Sequence, residues 1–427
     1  MPSLVVDTTP LRISPAFRRL WLGLSVSNLG TQLTVVAVGL QVYAITGSTL
    51  AVGVLGLFAL VPLIVFGLYG GAIVDHYDRR RVALYASIVS WAVILVLAVQ
   101  GWAGNENVGL LYALVALQSG ANAVNSPARS AIIPRLLEPR LMPAANALQA
   151  IGFQTALTVG PLLGAALVAW DGYGLAYTVD AALFTFALVA VFRLPSVLPE
   201  PSENRRARVG IGSVVDGLRY LGTQRNVRMT FAVDLIAMIT AMPRVVFPAV
   251  GLWYLGGGAT TTGILTAALA AGAVLSGLFS GGLARVRWQG RVITWAITSW
   301  GLSIVAFGLV LAFVGRDKPS HVLWGALAVA CCTLVAAGGS DEISAIFRQT
   351  ILQTATPDDM RGRLQGVFLV VVAGGPRLGE LWIGSVSGWI GEAGAVILGG
   401  TLCVVLLWLL VRWQRSFWVY DARHPVP

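Results

Sequence analysis

The chain consists of long apolar runs separated by short polar segments that are rich in arginine. The first run carries no charged residue between Leu20 and Val74, and a small polar turn at 46–49 divides it in two. About 20 apolar residues span the roughly 30 Å hydrocarbon core of a bilayer, and a charge at its centre costs about 2.5 to 3.5 kcal/mol. Each charge-poor run is therefore predicted to be a membrane-spanning helix. After the first two, spans are predicted at 82–105, 107–128, 141–170, 173–192, 229–254, 259–284, 292–314, 322–347, 364–388 and 393–411.

These twelve transmembrane helices predict an all-α polytopic membrane protein with two six-helix bundles. The polar stretch between the sixth and seventh spans holds three prolines and seven arginines, as expected of a linker. The predicted parts are a cytoplasmic N-terminal segment (1–16), an N-terminal bundle (17–193), a cytoplasmic linker (194–227), a C-terminal bundle (228–413) and a cytoplasmic tail (414–427).

Composition and charge exclude most other classes of protein. Hydrophobic residues make up 56% of the chain and charged residues 11%, whereas soluble domains carry about a quarter charged residues. The net charge of +10 would suit nucleic acid, but 25 of the 29 basic residues fall in loops that alternate along the chain. Such spacing follows the positive-inside rule and forms no continuous basic stripe. We therefore expect a multi-pass membrane protein with both termini cytoplasmic and no nucleic-acid partner.

Sequence motifs for enzymatic chemistry are missing. The three cysteines lie in apolar runs, the three histidines lie near loops or termini, and the chain shows no metal-ligand spacing and no phosphate-binding loop. We expect neither an enzyme nor a metal or cofactor site. The lack of a phosphate-binding loop also argues against the use of ATP as an energy source.

The two halves resemble each other at a nearly constant offset. Gly70 and Gly71 end the second span, and Gly281 with its neighbour Gly282 ends the eighth span, 211 residues later. Arg129, near the end of the fourth span, corresponds in the same way to Arg348, which lies near the cytoplasmic end of the tenth span, 219 residues later. The matches predict a duplicated six-helix unit and hence pseudo-symmetric bundles, the architecture of secondary transporters.

The loop after the second span carries a recognisable motif. The sequence from Gly71 to Arg80, with Asp75 at its centre, resembles the G-x-L-a-D-r-x-G-r-r loop of the major facilitator superfamily. The resemblance implies the superfamily fold and a cytoplasmic gate built from Gly71, Asp75, Arg79 and Arg80. In that gate the aspartate faces the positive end of a helix in the opposite half, near Arg363. The alternative is that these residues are ordinary interfacial charges.

Three further stretches resemble exporters of the superfamily. Gly160, Pro161 and Gly164 form the pattern G-P-x-x-G, which is similar to a motif of drug/proton antiporters. The stretches 242–248 and 348–363 resemble the enterobactin-exporter branch. This resemblance implies outward transport of a siderophore or another amphipathic small molecule, driven by protons. A packing kink is the alternative role for the G-P pair.

The sequence departs from the superfamily patterns at several positions. His76 and Asp78 replace a basic residue and a glycine of the gate loop, and Ala116 stands where many drug/proton antiporters have an arginine. If protons are used, another charged group must therefore carry them.

Charges inside the spans are costly, so they are candidates for that role. Arg377 and Glu380 lie three residues apart on one helical face and can pair. For each of these charges a structural ion pair is the alternative role. The candidate proton-coupling or substrate-cavity residues are Asp234, Arg244, Asp341, Glu342, Arg377 and Glu380.

The sequence thus predicts a monomeric secondary exporter that works by alternating access, with a small molecule, protons and the lipid bilayer as its partners. A general multidrug efflux pump is the nearest alternative. A proton-coupled importer of the same fold and a membrane receptor without transport activity are further alternatives.

Overall fold

The computed structural model describes residues 7–196, 219–278, 286–355 and 358–423, except for the side chains of 68–76, 353, 358–363, 365–370 and 373. Every regular element in this described part is helical. The ten long helices, in chain order, are α1 (Pro15–Thr46), α2 (Thr49–His76), α3 (Arg79–Trp102), α4 (Val108–Leu136), α5 (Met142–Phe192), α6 (Arg225–Thr240), α7 (Ala259–Leu278), α8 (Gln289–Val314), α9 (Trp324–Thr354) and α10 (Asp358–Trp413). Short helices at Thr9–Ile13 and Arg415–Trp418 lie outside them.

Ten stretches of the described chain are long and apolar enough to cross a membrane. Two of them lie in helices that are too long for a single membrane crossing. Helix α5 has 51 residues and would be about 77 Å long at about 1.5 Å per residue, more than twice the thickness of the hydrocarbon core. Its backbone leaves helical geometry at Asp171 and Gly172, and Gly172 has a φ of 77° that L side chains rarely adopt. This break lies between the predicted spans 141–170 and 173–192.

Helix α10 has the same construction. It contains 56 residues and breaks at Gly391, where φ is 75°. The break lies between the predicted spans 364–388 and 393–411, so each of the two longest helices has room for two crossings.

The predicted span 229–254 is not one regular helix. Helix α6 ends at Thr240, and the chain continues as a 3-10 turn (Arg244–Val246), a single α turn (Phe247–Ala249) and a π turn (Val250–Tyr254). Pro243 and Pro248 account for the irregularity, because proline lacks the amide proton that a regular helix needs.

The chain divides into two compact units. Unit 1 comprises residues 1–41 and 58–210, and unit 2 comprises 42–57 and 211–427. The end of α1 and the beginning of α2 thus belong to unit 2, whereas the boundaries predicted from the sequence assign them to the N-terminal bundle. Each unit has its own apolar core, with Phe17, Ile132 and Leu148 buried in unit 1 and Phe247 and Phe307 buried in unit 2.

Exposed tryptophans lie at several helix ends and breaks, as expected of residues at the membrane interface. Trp102 ends α3, Trp170 precedes the break of α5, Trp324 begins α9 and Trp389 precedes the break of α10.

Candidate functional site

Helix α9 presents an acid and a base on one face. Asp341 and Arg348 are seven residues apart, about two helical turns, and Arg348 Nη2 lies 3.4 Å from Asp341 Oδ1. Arg348 Nη1 also contacts the carboxylate of Asp234 on α6. Arg348 and Asp234 are nearly buried, while 32% of the Asp341 side chain is exposed. We name Asp234, Asp341 and Arg348 the Arg348 cluster.

The charges of the Arg348 cluster do not balance. Two ionised carboxylates and one guanidinium leave one net negative charge within spans predicted to cross the bilayer, where an unpaired charge is costly. Two of the three members, Asp234 and Asp341, are candidates that the sequence identified. Arg348 was predicted to lie among the cytoplasmic charges. The sequence signal that could have identified Arg348 is its spacing of seven residues from Asp341 on the same helix.

The other charges predicted within the second half form no ion pair with that cluster among the described residues, although Arg244 and Glu342 interact electrostatically with Asp341. Arg377 and Glu380 of α10 form an ion pair at 3.2 Å, as their spacing allows. Gly56 of α2 packs against this pair. Arg244 is exposed in the 3-10 turn and Glu342 is half-buried, and neither takes part in an ion pair among the described residues.

A second buried carboxylate of unit 2 escaped sequence analysis. Glu392 follows the break of α10, is 4% exposed and accepts hydrogen bonds from Thr49 at 3.0 Å and from Tyr254 at 3.1 Å. Arg316 lies 3.8 Å from it and stacks over the ring of Trp253. Glu392 falls in the gap between the predicted spans 364–388 and 393–411, a position typical of a loop residue.

In unit 1, buried polar side chains connect α1 with α3 and α5. Asp180 is 1% exposed and accepts a hydrogen bond of 2.5 Å from Thr34. Two turns further along α1, Gln41 pairs with Gln100 through both amides at 3.1 Å and accepts a hydrogen bond from Tyr177 at 2.8 Å.

Unit 1 also contains a partly open cavity of about 400 Å³, lined mostly by polar residues of α1, α4 and α5. Arg129 of α4 lines it and donates hydrogen bonds to Ser27 at 3.2 Å and to Ser87 at 3.0 Å. Asn125 also donates to Ser87, at 3.2 Å. The other residues around the cavity are Trp21, Leu24, Ser25, Asn28, Thr31, Asn122, Ser126, Ser130, Gln149, Ala150, Phe153 and Phe184.

The G-P-x-x-G residues bring α5 against α1. Gly160, Pro161 and Gly164 are buried. A Cβ atom added to Gly160 would lie 2.6 Å from Gln32 Cβ, and one added to Gly164 would lie 2.7 Å from the carbonyl oxygen of Leu33. The two glycines therefore permit a close approach of the helices.

The predicted gate loop is described in part. Gly71 and Asp75 lie in α2, but their side chains are outside the described residues, as is that of Arg363. Arg79 donates to the carbonyl oxygen of Ala131 at 3.0 Å, and Arg80 contacts the carbonyl oxygen and the ring of Phe192. Both described arginines thus interact with other helices of unit 1.

One ion pair lies outside the spans. Arg287 contacts Asp421 through Nε at 2.9 Å and Nη2 at 2.7 Å, which raises the pKa of Arg287. Arg287 lies two residues before α8, so the pair holds the C-terminal segment against the beginning of this helix.

Ten candidate spans, buried charges and a polar cavity are typical of the class of polytopic membrane transporters. A profile of the transmembrane secretion effector family, a branch of the major facilitator superfamily, matches residues 6–422, and the chain belongs to this family. The predicted superfamily and exporter branch are thereby confirmed.

Curated relatives and solved structures agree with the family. The chain is 26% identical to the enterobactin exporter EntS of Citrobacter koseri, over 100% of this chain and 97% of the relative. It is also 26% identical to EntS of Shigella boydii, over 97% and 96% of the two chains. A POT family transporter in complex with 5-aminolevulinic acid shares the fold, with a TM-score of 0.73 and 12% identity over 95% of this chain and 97% of that one. These proteins are transporters rather than enzymes.

Proposed function

We propose that the protein exports a siderophore-like amphipathic molecule across the bacterial cytoplasmic membrane, driven by protons and working by alternating access. Membership of the secretion effector family, with full-length similarity to enterobactin exporters, supports export. Twelve crossings in two pseudo-symmetric bundles, with both termini cytoplasmic, are part of the proposal, and the breaks in α5 and α10 support that number. A monomer suffices for this mechanism.

The Arg348 cluster is the observation that carries proton coupling. The cluster has two carboxylates but only one guanidinium, so one bound proton would make its net charge zero. A neutral cluster is cheaper to keep inside a membrane than a charged one. Loading and release of that proton can therefore change the relative free energies of two conformations.

Asp341 is the member of the cluster that is suited to exchange the proton. Its side chain is 32% exposed and its contact with Arg348 is 3.4 Å long, whereas Asp234 is 8% exposed and in close contact with the same guanidinium. Water reaches Asp341 more easily, while Asp234 keeps Arg348 paired after Asp341 is protonated.

Gating and coupling residues complete the proposal. Gly71, Asp75, Arg79 and Arg80 form the cytoplasmic gate, and Gly160, Pro161 and Gly164 limit leakage through the closed exporter. Arg244, Glu342, Arg377 and Glu380 are candidates for lining the substrate path.

Transport of enterobactin into inverted membrane vesicles with an acidic interior tests this function. We expect accumulation that rises at least tenfold when the pH gradient is imposed, and Asp341→Asn should remove that dependence. Asp317→Asn, at an exposed position between α8 and α9, is the matched control and should behave as the parent. Gradient-independent transport by the parent would contradict proton coupling. Absence of vesicle uptake at any gradient would contradict the choice of substrate or direction.

A further inference from the structure

The cavity of unit 1 contains a cation that has no counter-ion among the described residues. Arg129 is 7% exposed, and its guanidinium donates to the neutral hydroxyls of Ser27 and Ser87. Its Nε has no hydrogen-bond partner. None of the residues described around the cavity is acidic, so the positive charge is uncompensated there.

The related arginine of unit 2 shows what neutralisation requires. Arg348 contacts two carboxylates, and one of them, Asp341, precedes it by seven residues. In unit 1 the residue seven positions before Arg129 is the neutral Asn122, which also lines the cavity. The same helical spacing therefore provides an internal acid in one unit and an open position in the other.

The remaining lining of the cavity is suited to a ring that carries an anionic group. Trp21, Phe153 and Phe184 offer aromatic surface, and Asn122 and Asn125 offer amides beside Arg129. The Oδ1 atom of Asn125 is itself without a hydrogen-bond partner. A volume of about 400 Å³ lies within the range of small-molecule pockets, about 300 to 1,000 Å³.

We propose that this cavity binds an aromatic anion, with its carboxylate or phenolate oxygen on the guanidinium of Arg129 and its ring against Trp21 and Phe153. The inference deepens the proposed export function, because it assigns an anionic aromatic group to the exported molecule. Arg129 is the charged contact, and Ser27 and Ser87 hold its guanidinium in place.

Binding of a matched pair of probes tests the proposal without transport. The probes are 2-naphthoate and its neutral counterpart 2-naphthamide, titrated against the full-length protein in lipid nanodiscs by saturation-transfer difference NMR, with empty nanodiscs subtracted. We expect the parent to bind the anion at least tenfold more tightly than the amide, because hydrogen bonds to charged groups contribute more than neutral ones. Arg129→Gln should lose this preference, while Arg129→Lys retains part of it.

Two further variants keep the test decisive if Arg129→Gln fails to fold. Asn122→Asp places a carboxylate seven residues before Arg129, as in the Arg348 cluster, and should abolish the anion preference while keeping the charge pair satisfied. Arg135→Gln, at an exposed position of the same helix, should leave the preference unchanged. Equal binding of both probes by the parent, or a preference that survives in Asn122→Asp, would overturn the site. Because this experiment measures binding without a gradient, either result would overturn the binding site without deciding whether the protein exports its substrate.

Discussion

Thr49 donates a hydrogen bond of 3.0 Å to Glu392, a partner 343 residues away in the chain. Tyr254 donates to the other oxygen of the same carboxylate at 3.1 Å. The beginning of α2, the π turn and the break of α10 therefore meet at one buried acid of unit 2. The carboxylate compensates for its burial with these donors and with Arg316 nearby.

Replacing Glu392 should loosen the beginning of α2. Glu392→Leu leaves the buried hydroxyls of Thr49 and Tyr254 without an acceptor, at about 1 to 3 kcal/mol for each orphaned group. We expect faster hydrogen exchange across 49–57, measured by mass spectrometry on protein in nanodiscs. Glu392→Gln, which keeps one acceptor oxygen, should give an intermediate rate.

The exposed acid Glu106 provides the control for this experiment. Glu106→Leu makes the same chemical change in a loop and should leave exchange at 49–57 unchanged. Equal exchange rates in Glu392→Leu and the parent would show that the carboxylate does not hold this segment.

How far the sequence predicts this molecule depends on the range of each interaction. Charge-free runs and glycines are local signals, and they placed the breaks of α5 and α10 correctly because membrane thickness limits each run. The pair of Arg377 and Glu380 was also predictable, since it depends on spacing within one helix. Asp234 and Arg348 lie on different helices, so their contact depends on packing that no local pattern encodes.

Glu392 and the place of Arg129 in the cavity were missed for the same physical reason. Glu392 lies between apolar runs and is typical of a loop residue until Thr49 and Tyr254 are placed against it. Arg129 follows the charge pattern of a cytoplasmic loop, and only the fold shows it buried beside Ser27. Buried polar groups are identified by their partners, and these partners are distant in the chain.

The contact of Gly164 with α1 predicts a strong effect of one methyl group. A Cβ at Gly164 would lie 2.7 Å from the carbonyl oxygen of Leu33. This oxygen belongs to the backbone of α1, so relieving the clash would require the helix itself to shift. Overpacking of this kind costs about 1 to 3 kcal/mol. We expect Gly164→Ala to lower the thermal unfolding temperature of the purified protein, measured by intrinsic fluorescence.

Gly67 of α2 is the matched control, because no heavy atom lies within 4 Å of a Cβ added there. Gly67→Ala should leave the unfolding temperature unchanged or raise it slightly, since alanine stabilises a helix by about 0.4 to 1 kcal/mol relative to glycine. Equal effects at the two positions would contradict the close approach of α5 and α1.

The Arg348 cluster predicts a non-additive pair of substitutions. Arg348→Met removes the cation from two carboxylates, and loss of one partner of a buried pair costs about 3 to 5 kcal/mol. Adding Asp234→Leu removes the nearly buried carboxylate as well. We expect the double variant to be more stable than Arg348→Met alone, measured as thermal unfolding in the same detergent. An additive loss would mean that Asp234 and Arg348 are not energetically coupled.

The hydrogen bond between Thr34 and Asp180 gives a last test, in unit 1. Asp180 is almost fully buried. Thr34 donates a hydrogen bond to its Oδ2 atom, whereas its Oδ1 atom has no hydrogen-bond partner among the described residues. Thr34→Val keeps the shape of the side chain but removes the donor, so the carboxylate loses about 1.5 to 3 kcal/mol of stabilisation.

Thr158→Val is the matched control, because that hydroxyl donates to a carbonyl of its own helix at 3.0 Å. We expect Thr34→Val to unfold at a lower temperature than Thr158→Val, and Asp180→Asn to reduce the difference because a neutral amide is cheaper to bury. If both threonine variants unfold at the same temperature, the hydroxyl of Thr34 does not stabilise Asp180.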